Sequence, residues 1–144
     1  MLSNTSKYAI RASIYIALNG ADNKKLGIKK ISKELDIPSP FLSKILQILV
    51  KHKLLSSTKG PNGGFGIGKN PHQISLYEII NIIDGNDLFE KCLISMRNCN
   101  DEGIPCPMHD SYCNIRYELL DLFKNQTIGN LAENINKAES KIIL

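Results

Sequence analysis

Between residues 5 and 18, Tyr8, Ala9, Ala12 and Ile16 recur at helical spacing and Asn19-Gly20 supplies a stop, so the pattern predicts a first helix. After a polar turn at 21–25, Ile28, Ile31 and Leu35 follow at i, i+3 and i+7, with Lys29, Lys30, Lys33 and Glu34 on the other faces. This predicts a short second helix ending near Asp36. Ser39-Pro40 marks a third start, because a Ser oxygen can accept from free N–H groups and Pro is pre-set for the first turn. That helix runs to about Lys53. Leu42, Ile45, Leu46 and Leu49 line one side of it, and Pro40, Ser43, Lys44, Gln47 and Lys51 line the other. Two short helices with a tight turn, the second bearing small polar and basic residues near its start, predict a helix-turn-helix whose second helix fits a DNA major groove.

Residues 54–58 and 65–67 read as short strands flanking Lys59-Gly60-Pro61-Asn62-Gly63-Gly64, which must turn tightly and can approach another backbone closely. A hairpin behind a helix-turn-helix is a wing. A phosphate loop is disfavoured, since no Lys-Ser/Thr pair and no helix start follow the glycines. Ser75 is placed to cap a fourth helix in which Leu76, Ile79, Ile80 and Ile83 are expected to be buried, with Asp84-Gly85 closing it. Farther on, Tyr112, Ile115, Leu119, Leu122 and Phe123 keep helical spacing over about four turns, and a short amphipathic helix follows at 128–135. A long late helix with an apolar stripe has little domain left to cover, so a second copy of the chain is its expected partner. The fold expected is mainly α with a small β-hairpin wing. It divides into a winged helix-turn-helix domain at 1–84, a cysteine-bearing loop at 85–111, and a dimerisation helix with a C-terminal helix at 112–144.

Charge sharpens this picture. The chain of 144 residues is 42% hydrophobic with a net charge of +4, yet its halves differ. Residues 1–70 hold 12 Lys and Arg against 3 Asp and Glu, and residues 71–144 hold 6 against 11. The front half is the part suited to a polyanion. Phosphate contacts are expected from Lys29, Lys30, Lys33, Lys51 and Lys53. Ser39, Ser43, Lys44 and Gln47, with Pro40 beside them, are available to base edges, and the wing residues Lys59, Gly60, Gly63 and Gly64 to the adjacent minor groove. Arg11 interrupts the apolar start and no small-residue cleavage site follows, so an amphipathic helix rather than a secretion signal is expected. No run approaches the roughly 20 apolar residues that span a bilayer. A cytoplasmic protein with reduced thiols is expected.

Those thiols are Cys92, Cys99, Cys106 and Cys113, at equal seven-residue intervals and with no other cysteine in the chain. Gly103, Pro105 and Pro107 forbid one unbroken helix through Cys99 to Cys113, so the first three belong on a loop that can fold around a common point. Soft thiolates so gathered suit an iron–sulfur cluster. Zinc would accept the same donors, but its sites use close Cys pairs that are missing here. A metal-free thiol switch and idle cysteines stay open, as does a thiol- or metal-dependent enzyme with an incidental basic surface. No Cys-x-x-Cys pair and no general-base constellation support the enzyme. His52 and His72 read as a helix-end and a loop residue.

The opening Ser6-Lys7-Tyr8-Ala9-Ile10-Arg11-Ala12, the wing Lys59-Gly60-Pro61-Asn62-Gly63-Gly64-Phe65 and the cysteine loop leading into Cys106-Pro107-Met108-His109 together resemble the Rrf-type winged helix-turn-helix transcriptional regulators, the group that includes IscR, NsrR and RirA. The resemblance spans nearly the whole chain, and the wing is its most specific match. It implies a homodimer that regulates transcription at a double-stranded DNA operator and is not an enzyme. It also implies a cluster, 2Fe-2S or 4Fe-4S, with Cys92, Cys99 and Cys106 as ligands and His109 as the extra ligand of the IscR type. The chain departs from the pattern in two ways. Its cysteine intervals are a residue longer than is common, and Cys113 is an added thiol one turn past His109. The fourth ligand therefore lies among His109, Cys113 and a partner-subunit residue near positions 6–11.

Overall fold

The computed structural model describes residues 1–20, 24–99 and 102–138. Along the chain run α1 (Asn4–Asn19), α2 (Ile28–Leu35), α3 (Ser39–Lys51), β1 (Leu55–Thr58), β2 (Gly64–Ile67), α4 (Leu76–Asp84), α5 (Asp87–Glu90), α6 (His109–Asn125) and α7 (Ile128–Lys137). A single 3-10 turn, Pro71–Gln73, links β2 to α4. Most of the expected polar turn at 21–25 lies outside the described residues.

Hydroxyl caps start three of the helices. Ser3 accepts from the Ser6 N–H at α1, Ser75 from Glu78 at α4, and Thr127 from Asn130 at α7, each relieving an unpaired helix-end donor. At α3 the expected cap is displaced by one residue. Pro38 occupies the cap position, and its carbonyl takes the Phe41 and Leu42 N–H groups. Ser39 and Pro40 are thus the first two helical residues, and no side chain caps this helix. The joint between α2 and α3 is fixed by Asp36 in the left-handed conformation (φ 53°) and by Ser32, whose hydroxyl donates to the Ile37 carbonyl at 2.5 Å.

α1 lies at the centre of the core, with Ala9, Ala12 and Ile16 fully buried. Against it pack Leu42, Leu46 and Leu49 of α3, Ile79 and Ile80 of α4, and Ile128 at the start of α7. Ile83 is only half-buried, at the margin of that cluster. α7 is tied back by two backbone bonds, Leu76 N–H to Gln126 O and Ile128 N–H to Ile74 O, each 2.9 Å.

β1 and β2 pair antiparallel with Leu55 opposite Ile67 and Thr58 opposite Gly64. Leu26 adds a third rung through reciprocal 2.8 Å bonds with Phe65, so the hairpin is anchored to the chain just before α2. This explains Gly64. It has φ +142°, and a Cβ there would lie 2.3 Å from the Leu26 carbonyl oxygen.

Candidate functional site

The first candidate surface is the open side of the helix-turn-helix and its wing. On α3 the buried stripe leaves Pro40, Lys44, Gln47 and Lys51 exposed, with Ser39 and Ser43 half-buried beside them. Gln47 Nε2 lies 3.4 Å from Ser43 Oγ, so two polar heads stand together one turn apart. Lys29 and Lys30 are exposed on α2, and Lys33, Lys53, Lys59 and Gly60 are exposed as well. A cavity lined by Gly27, Ile28, Lys29, Gly60, Gly63 and Gly64 separates the first turn of α2 from the wing. Every residue expected to meet DNA therefore belongs to this one continuous module. Two residues of α3 were not anticipated. Phe41 and Ile48, both 41% exposed, flank the polar row, and Phe41 meets Tyr8 edge-on with ring centroids 5.9 Å apart.

The second candidate surface is the cysteine loop between α5 and α6. Lys91 and Asn98 bridge across it, the Cys92 N–H donates to Arg97 O at 2.9 Å, and the Cys99 N–H donates to Glu90 O at 2.8 Å. This small closed turn sets Cys92 and Cys99 on facing sides. Pro107 and Met108 then turn the chain into α6, and the turn is closed by the His109 N–H donating to Cys106 O at 2.9 Å. Cys92 Sγ and Cys106 Sγ are 3.0 Å apart. Cys92, Cys99, Cys106 and His109 line one small cavity of about 60 Å³. Cys113 lies on α6 outside that lining, with its sulfur turned toward Arg116.

The two close thiols are electrostatically unequal. The Cys106 thiol hydrogen-bonded to Cys92 lowers the latter to about 7, and the same bond raises Cys106. Among the described residues no three His, Cys, Asp or Glu side chains stand as a ready cage for a single metal ion. Tetrahedral thiolate ligands at about 2.3 Å from a metal sit roughly 3.8 Å from each other. The Cys92–Cys106 pair would have to spread to reach that spacing. The donors themselves fit an iron–sulfur cluster in kind and convergence: three thiols and one imidazole on a single cavity wall. Sequence reasoning missed Arg116, a fully buried cation beneath this loop, because the loop contact that covers it, at Glu90, is distant in sequence.

A helix-turn-helix with a glycine-built wing, a lysine-bearing open face and a separate cysteine loop defines a winged-helix DNA-binding transcriptional regulator. The chain belongs to the Rrf2 family, described as "Iron-dependent Transcriptional regulator", whose model matches residues 2–134. It is 33% identical over 132 residues to a candidate HTH-type transcriptional regulator of Aquifex aeolicus, covering 91% of this chain and 90% of that one. It is 28% identical over 133 residues to the HTH-type transcriptional regulator IscR of Klebsiella pneumoniae, covering 92% of this chain and 80% of that one. Among solved structures, CymR, the global cysteine regulator of B. subtilis, has a TM-score of 0.78 at 19% identity, covering 93% of this chain and 97% of that one. IscR of T. potens has a TM-score of 0.77 at 16% identity, covering 97% and 91%. The likeness to these two structures concerns the fold. The relatives are regulators and not enzymes. Among the described residues no helix is long and apolar enough to cross a membrane.

Proposed function

We propose that this chain is a dimeric transcriptional regulator whose cysteine loop senses iron–sulfur cluster status. Cys92, Cys99 and Cys106 are the ligands in this reading, and His109 is the fourth, with Cys113 as its alternative. The observation that supports it most is the convergence of three thiols and an imidazole on one cavity at the foot of α6. A bound cluster would supply a single unit whose gain or loss acts on all of its thiol ligands at once. With those thiols tied, the loop at 92–106 is drawn onto the first turn of α6 and fixes how that helix is seated. From the cap residue Met108, Tyr112, Ile115, Leu119 and Leu122 of this helix follow in alternating four- and three-residue steps, the spacing of a coiled-coil seam. Ile115 is 60% and Leu122 51% exposed in the single chain, which supports a second copy as their cover. In such a dimer the seat of α6 sets the spacing of the two recognition helices. Lys29, Lys30 and Lys51 then hold phosphates, while Ser39, Ser43, Lys44 and Gln47 meet base edges and the wing at Lys59 to Gly64 follows the neighbouring groove.

A second reading has its own support. At 3.0 Å the Cys92 and Cys106 sulfurs need to close by only about 1 Å to reach the bond length of a disulfide, so a metal-free thiol switch is also within reach. One preparation separates the two. Protein isolated without oxygen should be brown and contain iron and sulfide, and Cys92→Ala, Cys99→Ala and Cys106→Ala should each lose most of both. A colourless wild type that cross-links Cys92 to Cys106 with a thiol oxidant would overturn the cluster reading in favour of the switch.

A further inference from the structure

Among the described residues Arg116 is the one charged side chain in the interior, at 2% exposure. A guanidinium cannot shed its charge, so a buried one must be met by electron-rich groups. Among the described residues no carboxylate pairs with it. The ion pairs among the described residues join Lys69 to Glu78, His72 to Glu133 and Lys91 to Asp87. Arg116 instead points Nη1 at the Glu90 carbonyl, 3.5 Å away, and Nη2 at Cys113 Sγ, 4.0 Å away, and the nearby Cys99 sulfur favours its charge electrostatically. The Tyr117 ring covers it from 5.5 Å.

These partners come from two sides of a seam. Glu90 ends α5 and Cys99 belongs to the loop, and the two are already joined by the 2.8 Å bond from Cys99 N–H to Glu90 O. Cys113 and Tyr117 belong to α6, as does Arg116 itself. One buried cation thus ties the sulfur-bearing loop to the helix that carries the exposed apolar seam.

We propose that Arg116 is a positioning residue that transmits the state of the sulfur site to α6. Its charge meets the loop at the Glu90 carbonyl, which the Cys99 N–H also holds, and the Cys99 sulfur beside it favours that charge, so a change in what Cys99 is bonded to changes how firmly the loop grips the helix. Substituting that sulfur removes one of the few groups that solvate the guanidinium, and the seam loosens. The part of this inference that concerns DNA rests on the cluster reading given above. The grip itself does not.

The test uses the full chain and a 30-base-pair duplex selected from a random library by the wild-type protein. Wild type should bind this duplex with an affinity that differs about tenfold between reconstituted and metal-free forms. Arg116→Gln, with iron and sulfide per chain unchanged, should bring that ratio to within about twofold. Arg116→Lys should keep an intermediate ratio, because it retains the charge and loses the fork that reaches both sides. An Arg116→Gln protein that loads normally and keeps the full ratio overturns the proposal. A second measurement needs neither iron nor an Arg116 variant. In metal-free protein, Cys99→Ala should speed amide hydrogen exchange across residues 109–125 by at least about fivefold relative to wild type. Unchanged exchange there overturns the proposal even if the wild type holds a cluster, and faster exchange supports it even if no iron is ever found.

Discussion

In the reading head formed by α1 to α4 and the wing, Leu42, Leu46 and Leu49 are 0% exposed, whereas in the cysteine loop Leu93, Ile94, Met96 and Ile104 are 54%, 64%, 98% and 91% exposed. The same residue class is spent in opposite ways. In the head, apolar burial decides where each polar side chain of α3 points, so the reading face is organised before any DNA arrives. Among its described residues the loop is held by backbone bonds such as Cys92 to Arg97 and Cys99 to Glu90, by its sulfur contacts and by Arg116 beneath it. A segment with so little buried apolar surface takes its conformation from whatever its polar groups bind. The two modules differ in what fixes them.

The sharpest way to break this contrast is to remove the same kind of group from each region. Leu46→Ala should cost about 2–5 kcal/mol, since a fully buried leucine leaves both lost transfer energy and a cavity. Ile94→Ala should stay within about 0.5 kcal/mol. Urea unfolding of the metal-free protein measures both. Equal losses at the two positions would mean that the loop is as tightly packed as the head.

Glycines give a smaller and more local contrast. Gly64 and Gly103 both have positive φ, +142° and +139°. A Cβ on Gly64 would strike the Leu26 carbonyl oxygen at 2.3 Å, whereas on Gly103 the nearest atom is an Arg97 side-chain nitrogen at 3.8 Å. Gly64→Ala combines strain and clash, so it should cost about 2–3 kcal/mol and weaken duplex binding as the wing lifts from Leu26. Gly103→Ala incurs strain alone, about 1 kcal/mol, and should leave duplex binding by the metal-free protein unchanged. Identical DNA affinities for the two variants would contradict the anchoring role given to Leu26.

The same contrast explains what could be read from the sequence. The helices of the head follow from periodicity and punctuation, because each buries one face and stops at a Gly or a polar turn. Ser75 capped as expected, while Ser39 did not, since Pro38 had already taken the bend. The glycines of the wing were legible as a tight turn, but the third rung at Leu26 that makes Gly64 obligatory is non-local. α5, at four residues, is too short to show a period. The three loop thiols were legible together because of the flanking glycine and prolines, whereas the regular spacing gave no hint that Cys113 lies outside their cavity. Arg116 was not, because an arginine on an amphipathic helix is ordinarily a surface residue and its partners Glu90 and Cys99 lie far back in the chain.

Where the two regions meet, Asp84 ends α4 and clips the start of α1. Its carboxylate accepts from the Ser3 hydroxyl at 2.6 Å and from the Ser3 N–H at 3.2 Å, and Gly85 then turns the chain toward the loop. Burial pushes the Asp84 carboxyl up, but the hydroxyl and N–H of Ser3 outweigh it and hold the group below its usual value of 3.8. A carboxyl depressed in the folded state stabilises at pH values above its unfolded pKa, and that contribution is lost as pH falls through the folded one. Asp84→Asn should therefore be less stable than wild type near pH 6–7, by under about 1 kcal/mol given how open the group is to solvent. The gap should close as pH drops below about 4, where wild type loses the charge as well. Thermal unfolding of both proteins from pH 7 to pH 3 reads this directly. A gap that persisted unchanged to pH 3 would mean that Asp84 acts by shape, and that the junction is held without its charge.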